Sequence, residues 1–206
     1  IKELTEEEAQ EYTVQKVLGG TDGWDPTAEA PLVQNYTWTG DGETESWLDS
    51  MNWNPVGVPA NGELAEVDSA FTINADGGTF SADLVLTNGA VLNITANSVA
   101  PYISASKAEF NTAGDVSLSG KIGTKDTITF NVEGTLDLQS ALTGVHDLIK
   151  TGAGAVALNA DNSNFTGQIT IEAGVLKASF AGSFGKGSVE VGSSGTLTIE
   201  DEHAFY

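Results

Sequence analysis

The sequence predicts an all-β protein, a right-handed parallel β-helix of about 20 residues per coil, on two repeating patterns. The first pattern is a Gly-x-apolar-x-apolar motif that occurs five times. The second is an aliphatic residue that comes five or six residues before the glycine in four of these copies. A fixed period of this length is typical of stacked repeats. The five glycines are Gly114, Gly134, Gly154, Gly174 and Gly195.

Stacking of the coils would align the apolar positions of the motif in two interior columns. Equivalent residues would then recur at about 4.8 Å, the distance between paired strands. A β-sandwich also has short alternating strands, but it gives no reason for one fixed period, so the β-helix is favoured. Its right hand follows the usual connection of parallel strands. The predicted columns are Val116, Leu136, Val156, Leu176 and Leu197, and Leu118, Leu138, Leu158, Ala178 and Ile199.

Three segments follow one another along the chain. In residues 1–34, the capping-box pattern of Thr5 and Glu8 predicts a short acidic helix, and a linker with Gly and Pro follows it. Residues 35–75 contain three of the four tryptophans and predict an aromatic-rich N-terminal cap. Residues 76–206 predict the β-helix repeats, because short alternating stretches are separated by turns of Gly, Asn and Asp.

The tryptophan cluster has two interpretations. A solenoid needs a cover over its terminal coil, and three indoles close together can supply one. Aromatic faces beside Asn, Asp and Glu also suit the stacking of sugar rings. The cap is the favoured interpretation, and the candidate ligand-binding residues of the other are Trp38, Trp47 and Trp53.

The charge balance excludes whole classes of partner. The chain has 8 lysines, no arginine and 29 acidic residues, which gives a net charge of −21. Nucleic acid is not an expected partner, because phosphate binding needs a basic surface. Membrane insertion by this segment is not expected either, because no apolar stretch approaches the roughly 20 residues of a span. The chain has no cysteine, so it has neither disulfides nor thiolate chemistry.

No pattern of catalytic residues stands out, and we expect a protein that is not an enzyme. The absence of arginine removes the best residue for binding uronate carboxylates, and no pair of acids is marked by its spacing. His146 and His203 have no nearby partner for a transition metal. No cofactor is expected, although oxygen-rich residues at 159–164 and 22–25 leave calcium as an alternative.

Three motifs follow one another in residues 148–199. They are Lys-x-Gly-x-Gly from Lys150, Phe-Thr-Gly from Phe165 and Gly-x-Leu from Gly174 and Gly195. In this order they resemble the autotransporter-associated β-strand repeat, also called the passenger-associated transport repeat. The resemblance implies a β-helical passenger region that a Gram-negative bacterium exports and displays, often in adhesins. It brings no catalytic residues.

These observations together predict a non-enzymatic secreted or cell-surface module on the bacterial surface. It would be an adhesin-like or structural passenger segment of a larger bacterial protein. The expected partners are a glycan or protein of the host or its matrix, or a second copy of the chain. The alternative is a carbohydrate-binding or carbohydrate-cleaving β-helix that uses exposed tryptophans and carboxylates.

Overall fold

A computed structural model of the 206-residue chain describes residues 34–179 and 182–200. The predicted N-terminal helix lies outside these residues. Within them, regular structure consists of strands and one 3-10 turn, Ser50–Asn52, and no helix is long and apolar enough to cross a membrane. The strands are β1 (Asn35–Trp38), β2 (Trp53–Asn54), β3 (Leu64–Val67), β4 (Thr72–Ala75), β5 (Gly78–Thr79), β6 (Asp83–Leu86), β7 (Val91–Ile94), β8 (Ser98–Ala105), β9 (Glu109–Thr112), β10 (Asp115–Thr124), β11 (Ile128–Val132), β12 (Thr135–Gly144), β13 (Leu148–Thr151), β14 (Ala155–Leu158), β15 (Ile169–Ala178) and β16 (Val189–Ile199).

The strands stack as a parallel β-solenoid of about seven coils, about 20 residues apart. Three ladders run along it. The first joins β1, β3 and β6 to the second halves of β8, β10 and β12. The second joins β4, β7, β9, β11 and β13 to the start of β15 and of β16. The third joins β5 to the first halves of β8, β10 and β12, then to β14 and the ends of β15 and β16.

The predicted parallel β-helix is confirmed, and so is the register of its columns. Val116 lies opposite Leu136, and the pairing continues through Val156 and Leu176 to Leu197. The second column is fully buried from Leu118 to Ala178, but its last member, Ile199, is 39% exposed. The right hand of the coil stays a prediction.

The glycine period has a steric cause. A Cβ atom on Gly134 would lie 2.3 Å from the carbonyl oxygen of Gly114, and one on Gly154 would lie 2.0 Å from that of Gly134. A Cβ atom on Gly174 would likewise lie 2.3 Å from the carbonyl oxygen of Gly154. Successive coils therefore approach each other at this corner so closely that only a residue without a side chain fits.

The parallel ladders extend back into residues 35–75, the segment predicted as a cap. Asn35 lies opposite Leu64, and Leu64 lies opposite Asp83. In the second ladder, Thr72 lies opposite Val91. The aromatic segment therefore forms the first coils of the solenoid, and strand pairing continues past residue 76 without a break.

One hydrophobic cluster fills the interior of the described coils, from Trp38 to Phe184. Two phenylalanines from adjacent coils, Phe110 and Phe130, stack in it with ring centroids 4.9 Å apart. Burial weakens in β16, where Val191 is 45% exposed. Burial is thus complete for the second column in the middle coils and only partial in β16.

Candidate functional site

The three tryptophans proposed as a sugar platform pack against one another. Trp38 and Trp53 lie opposite each other in the antiparallel pair of β1 and β2, and Trp47 lies just before the 3-10 turn. The rings of Trp38 and Trp47 each meet Trp53 edge-on, with centroids 4.9 Å apart. Phe80 closes the far side of Trp47 at 4.4 Å. Edge-to-face packing of this kind is favourable beyond the area that it buries.

The exposed fractions of the three indoles bear on the two interpretations of this cluster. Trp38 and Trp47 are 3% exposed and Trp53 is 1% exposed. The indole nitrogen of Trp53 donates a hydrogen bond to the Trp47 carbonyl at 3.1 Å, so even its polar atom faces inward. A sugar ring needs an open aromatic face, and in this packing the indole faces are covered. The three indoles belong to the hydrophobic cluster of the interior, and ligand binding by Trp38, Trp47 and Trp53 stays a prediction.

Asn52 and Asp49 hold the loop between β1 and β2. The buried Asn52 side chain accepts a hydrogen bond from the Gly42 amide at 2.8 Å and donates to the Thr44 carbonyl at 2.7 Å. Asp49 caps the 3-10 turn by accepting from the Met51 amide, and this bond is the main reason that the pKa of the Asp49 carboxyl is lowered. These polar groups stabilise the loop that places Trp47.

Lys150, the first residue of the Lys-x-Gly-x-Gly motif, is a fully buried cation. Its ammonium group donates to the carbonyl oxygens of Thr151, of Gly152 at 2.9 Å and of Ala173 at 3.2 Å. Burial lowers the pKa of Lys150, and the negative charge of Glu133 opposes this shift. The amine thus satisfies carbonyl groups of two adjacent coils at a turn.

The sequence signal for this role was the Lys-x-Gly-x-Gly motif itself. A Cβ on Gly174 would lie 2.8 Å from Lys150 Nζ, so the glycine leaves the space that the ammonium group occupies. Lys150, Gly152 and Gly174 are therefore one structural unit, since the ammonium group donates to the Gly152 carbonyl and occupies the space beside Gly174. Its chemistry is hydrogen bonding of the backbone.

A row of asparagines runs along the outside of the second ladder. Asn74, Asn93, Asn111 and Asn131 occupy equivalent positions in four successive coils and are half-buried. We call them the asparagine ladder. The Asn93 amide donates to Asn74 Oδ1 at 3.0 Å and the Asn111 amide donates to Asn93 Oδ1 at 3.3 Å. The side chains are thus ordered by one another before any ligand is present.

The ladder is interrupted at its last step. The Asn131 amide donates to Glu109 Oε1 at 3.3 Å instead of to Asn111. Asn111 Oδ1 is consequently buried with no hydrogen-bond partner among the described residues. A buried acceptor without a donor is uncommon in native proteins and calls for an explanation.

A groove of about 500 Å³ lies beside the asparagine ladder, and we call it the asparagine groove. It crosses three coils at the corner where the second ladder ends. Ala113 and Gly114 lie in the middle coil, and their small size leaves the depression between Thr95 and Glu133. The groove is lined by Asn93, Ile94, Thr95, Asn111, Thr112, Ala113, Gly114, Asn131 and Glu133.

The oxygen-rich residues at 159–164 serve the backbone. Asn162 accepts a hydrogen bond from the Leu142 amide at 2.7 Å and donates to the Ser183 carbonyl at 2.5 Å. Asp161 accepts from the Ser163 amide at 2.9 Å. Within residues 34–179 and 182–200, no group of three His, Cys, Asp or Glu side chains could hold a metal ion. His146 is exposed, and His203 and residues 22–25 lie outside the described residues.

The fold defines a parallel β-solenoid of stacked coils, and one part of it has a known repeat. The passenger-associated-transport-repeat family model matches residues 148–178, which run from the start of β13 to the end of β15. This match confirms the resemblance seen in the motifs around Lys150. Comparison with curated proteins and with solved structures gave no match. The repeat and the solenoid together fit a passenger module of an autotransporter.

Proposed function

We propose that the chain is an exported, non-enzymatic segment of a bacterial passenger that acts outside the cell as an adhesin-like or structural module. The observation that carries this proposal is that a passenger-associated transport repeat occupies residues 148–178, about one and a half coils of a continuous parallel solenoid. Such a solenoid extends by adding coils, and each coil contacts only its neighbours. A stack of such coils therefore presents a long and regular surface.

The surface chemistry supports this role. Exposed carboxylates are engaged by neighbouring coils, as in Asp68, which accepts from Thr87 and Asn88 at 2.8 and 2.6 Å. Asp137 accepts from Asn159 of the next coil and from Gln139 of its own strand. Carboxylates held like this stabilise turns and columns. The net charge of −21 keeps an exported surface soluble through self-repulsion.

The proposed partners are molecules that a protein displayed on the cell surface would contact. They are a glycan or protein of a host or its matrix, or a second copy of the chain. Adhesion would come from many weak contacts along the solenoid, because multivalent binding multiplies modest affinities without any new contact.

Surface display tests the export half of the proposal. The 206-residue chain is placed between a secretion signal and a translocating barrel in a Gram-negative host, and protease is added to intact cells. We expect the chain to be reached by antibody and to leave a resistant fragment that contains residues 34–200. Retention of the chain inside the cell, or its complete digestion, would contradict the proposal.

Catalysis and adhesion are tested separately on the purified chain. We expect no release of reducing ends from neutral or acidic polysaccharides over a day, and retention of beads coated with the chain on matrix or glycan surfaces. Steady turnover that persists after a further purification step would overturn the non-enzymatic half. An unrelated acidic protein of similar net charge is the control for charge-driven adhesion.

A further inference from the structure

We propose that the asparagine groove binds a neutral oligosaccharide with one hexose ring at each of its three coils. The site is distinct from the tryptophan cluster. The binding itself does not depend on the export route, and it rests on the proposed function only for the place where the ligand is met.

The groove presents the hydrogen-bonding groups that sugar hydroxyls need. Asn93, Asn111 and Asn131 each donate one of their two amide N–H groups to a neighbouring side chain, so a second N–H of each remains for a ligand. Asn111 Oδ1 is an acceptor that the described residues leave unused. Thr95 and Glu133 add a hydroxyl and a carboxylate at the rim.

The spacing of these groups distinguishes a sugar chain from a peptide. Equivalent amides recur once per coil, at about 4.8 Å. One pyranose ring of an extended polysaccharide advances by a similar length, so each ring meets the same set of groups. An extended peptide advances about 3.3 Å per residue, so its groups on one side recur at about 6.6 Å and fall out of step within three coils.

The charge of the lining selects a neutral ligand. Glu133 is the only charged residue that lines the groove, and it is an anion. Uronate or sulfate groups would need a cation there, which the lining lacks. A divalent cation is disfavoured too, because it prefers several carboxylates and the lining supplies one. The volume of about 500 Å³ lies within the range of sites for small organic ligands.

The order of the amides lowers the entropic cost of binding. The half-buried side chains are held by hydrogen bonds between coils, so few rotamers are lost when a ligand arrives. The backbone beneath them is fixed by parallel pairing of β7, β9 and β11. The site is therefore built on rigid elements.

Isothermal titration with defined oligosaccharides tests this proposal. The probes are β-1,4-linked glucose, β-1,4-linked N-acetylglucosamine and α-1,4-linked glucose of one to six rings, with oligogalacturonate as the acidic comparison. We expect at least one neutral series to bind, with an affinity that rises up to three rings and then levels off. The acidic series should bind at least tenfold more weakly.

Two variants locate the site. Asn111→Ala removes the central amide and should weaken binding about tenfold, since one or two hydrogen bonds are lost. Ala113→Leu fills the depression without touching the ladder and should weaken binding to a similar extent. Asn159→Ala, which alters an amide in another column, is the matched control and should bind as the parent does. Circular dichroism and thermal melting establish that all three variants fold.

The binding results for the groove variants and the control either support or overturn the proposal. Binding that is lost in both groove variants and kept in the control supports the proposal. It is overturned if no neutral series binds, if folded Asn111→Ala and Ala113→Leu bind normally, or if an extended peptide or calcium ion is the probe that binds. None of these results bears on surface display, so failure of the groove is distinguishable from failure of the proposed function.

Discussion

The coils in the middle of the solenoid, residues 109–178, and its first coils, residues 35–75, bury their interiors in different ways. The middle coils repeat small and aliphatic residues at a fixed period, and each coil contacts its neighbour through backbone carbonyls at the glycine corner. The first coils have an antiparallel pair, a 3-10 turn and a cluster of indoles. The regular aliphatic columns of the middle coils are therefore replaced in residues 35–75 by aromatic packing.

The difference has an energetic consequence. In the middle coils, stability is a sum of similar contributions from neighbouring coils, so one substitution affects one step of the stack. In the first coils, three indoles and Phe80 share a single cluster, so one ring supports all the others. Substitutions in the two regions should consequently differ in how far their effects extend.

The largest effect is expected at the centre of the indole cluster. Trp53→Ala should lower the free energy of unfolding of the first coils by about 3–5 kcal/mol, because it leaves a large cavity among buried rings. Amide hydrogen exchange measures this change coil by coil. We expect protection to fall in residues 35–75 and to persist in 148–178. Met51→Ala, at a side chain that is 54% exposed, is the control, and equal losses from both variants would argue against the cluster.

The second-largest effect on stability is expected at the corner of the middle coils where Gly134, Gly154 and Gly174 contact the preceding coil. Gly154→Ala places a Cβ 2.0 Å from the Gly134 carbonyl oxygen and should cost about 3 kcal/mol. Gly114→Ala is the matched control, because a Cβ there has nothing within 4 Å. The control should stay within about 0.5 kcal/mol of the parent. Urea denaturation of the two variants measures the difference, and similar midpoints would refute the steric cause of the period.

Lys150 gives an intermediate effect. Lys150→Met removes the donor from three carbonyl groups and should cost roughly 1–3 kcal/mol, part of which is offset because a charge is no longer buried. Lys177→Met, at a half-buried position of β15, should change little. Since the pKa of Lys150 is lowered in the folded state, the unfolded chain binds more protons between that pKa and 10.5. The parent should therefore gain stability relative to Lys150→Met as pH rises through this window.

The smallest effect is expected at Asp68, in a turn of the first coils. Hydrogen bonds from Asn88, Thr87 and the Ser69 amide, in that order of size, lower the pKa of Asp68 below its ordinary 3.8. The unfolded chain therefore binds the proton more readily, so the stabilisation is present above pH 3.8 and is lost as pH falls through the folded pKa. Asp68→Asn should be slightly less stable than the parent at pH 7, and the difference should vanish in acid. Melting of both proteins across pH 2–7 checks this, with the exposed Asp83→Asn as a control for charge.

The columns of the middle coils could be predicted because Gly134, Gly154 and Gly174 are each required by a contact one period away. The pairing of the first coils could not, since Asn35 lies opposite Leu64, well outside that period, and no Gly-x-apolar-x-apolar motif marks it. The Lys-x-Gly-x-Gly motif marked Lys150, but its burial could not be predicted, because one of its carbonyl partners, Ala173, lies in the next coil. The asparagine ladder did have a signal. Asn74, Asn93, Asn111 and Asn131 recur close to the coil period.

The central claim is that coils stack in parallel, so that paired residues are about 20 positions apart in the chain. Engineered disulfides between paired strands test this register directly. Lys121 lies opposite Ala141, and the chain has no cysteine of its own. Paired strands place such Cα atoms about 4.8 Å apart, within disulfide range. Positions two residues out of register are roughly 8 Å apart, beyond that range.

Lys121→Cys combined with Ala141→Cys should therefore form an intramolecular disulfide under mild oxidation. Lys121→Cys combined with Thr143→Cys should remain reduced under the same conditions. Mass spectrometry after alkylation of free thiols distinguishes the two states. Preferential closure of the second pair, or equal closure of both, would contradict the register on which the account depends.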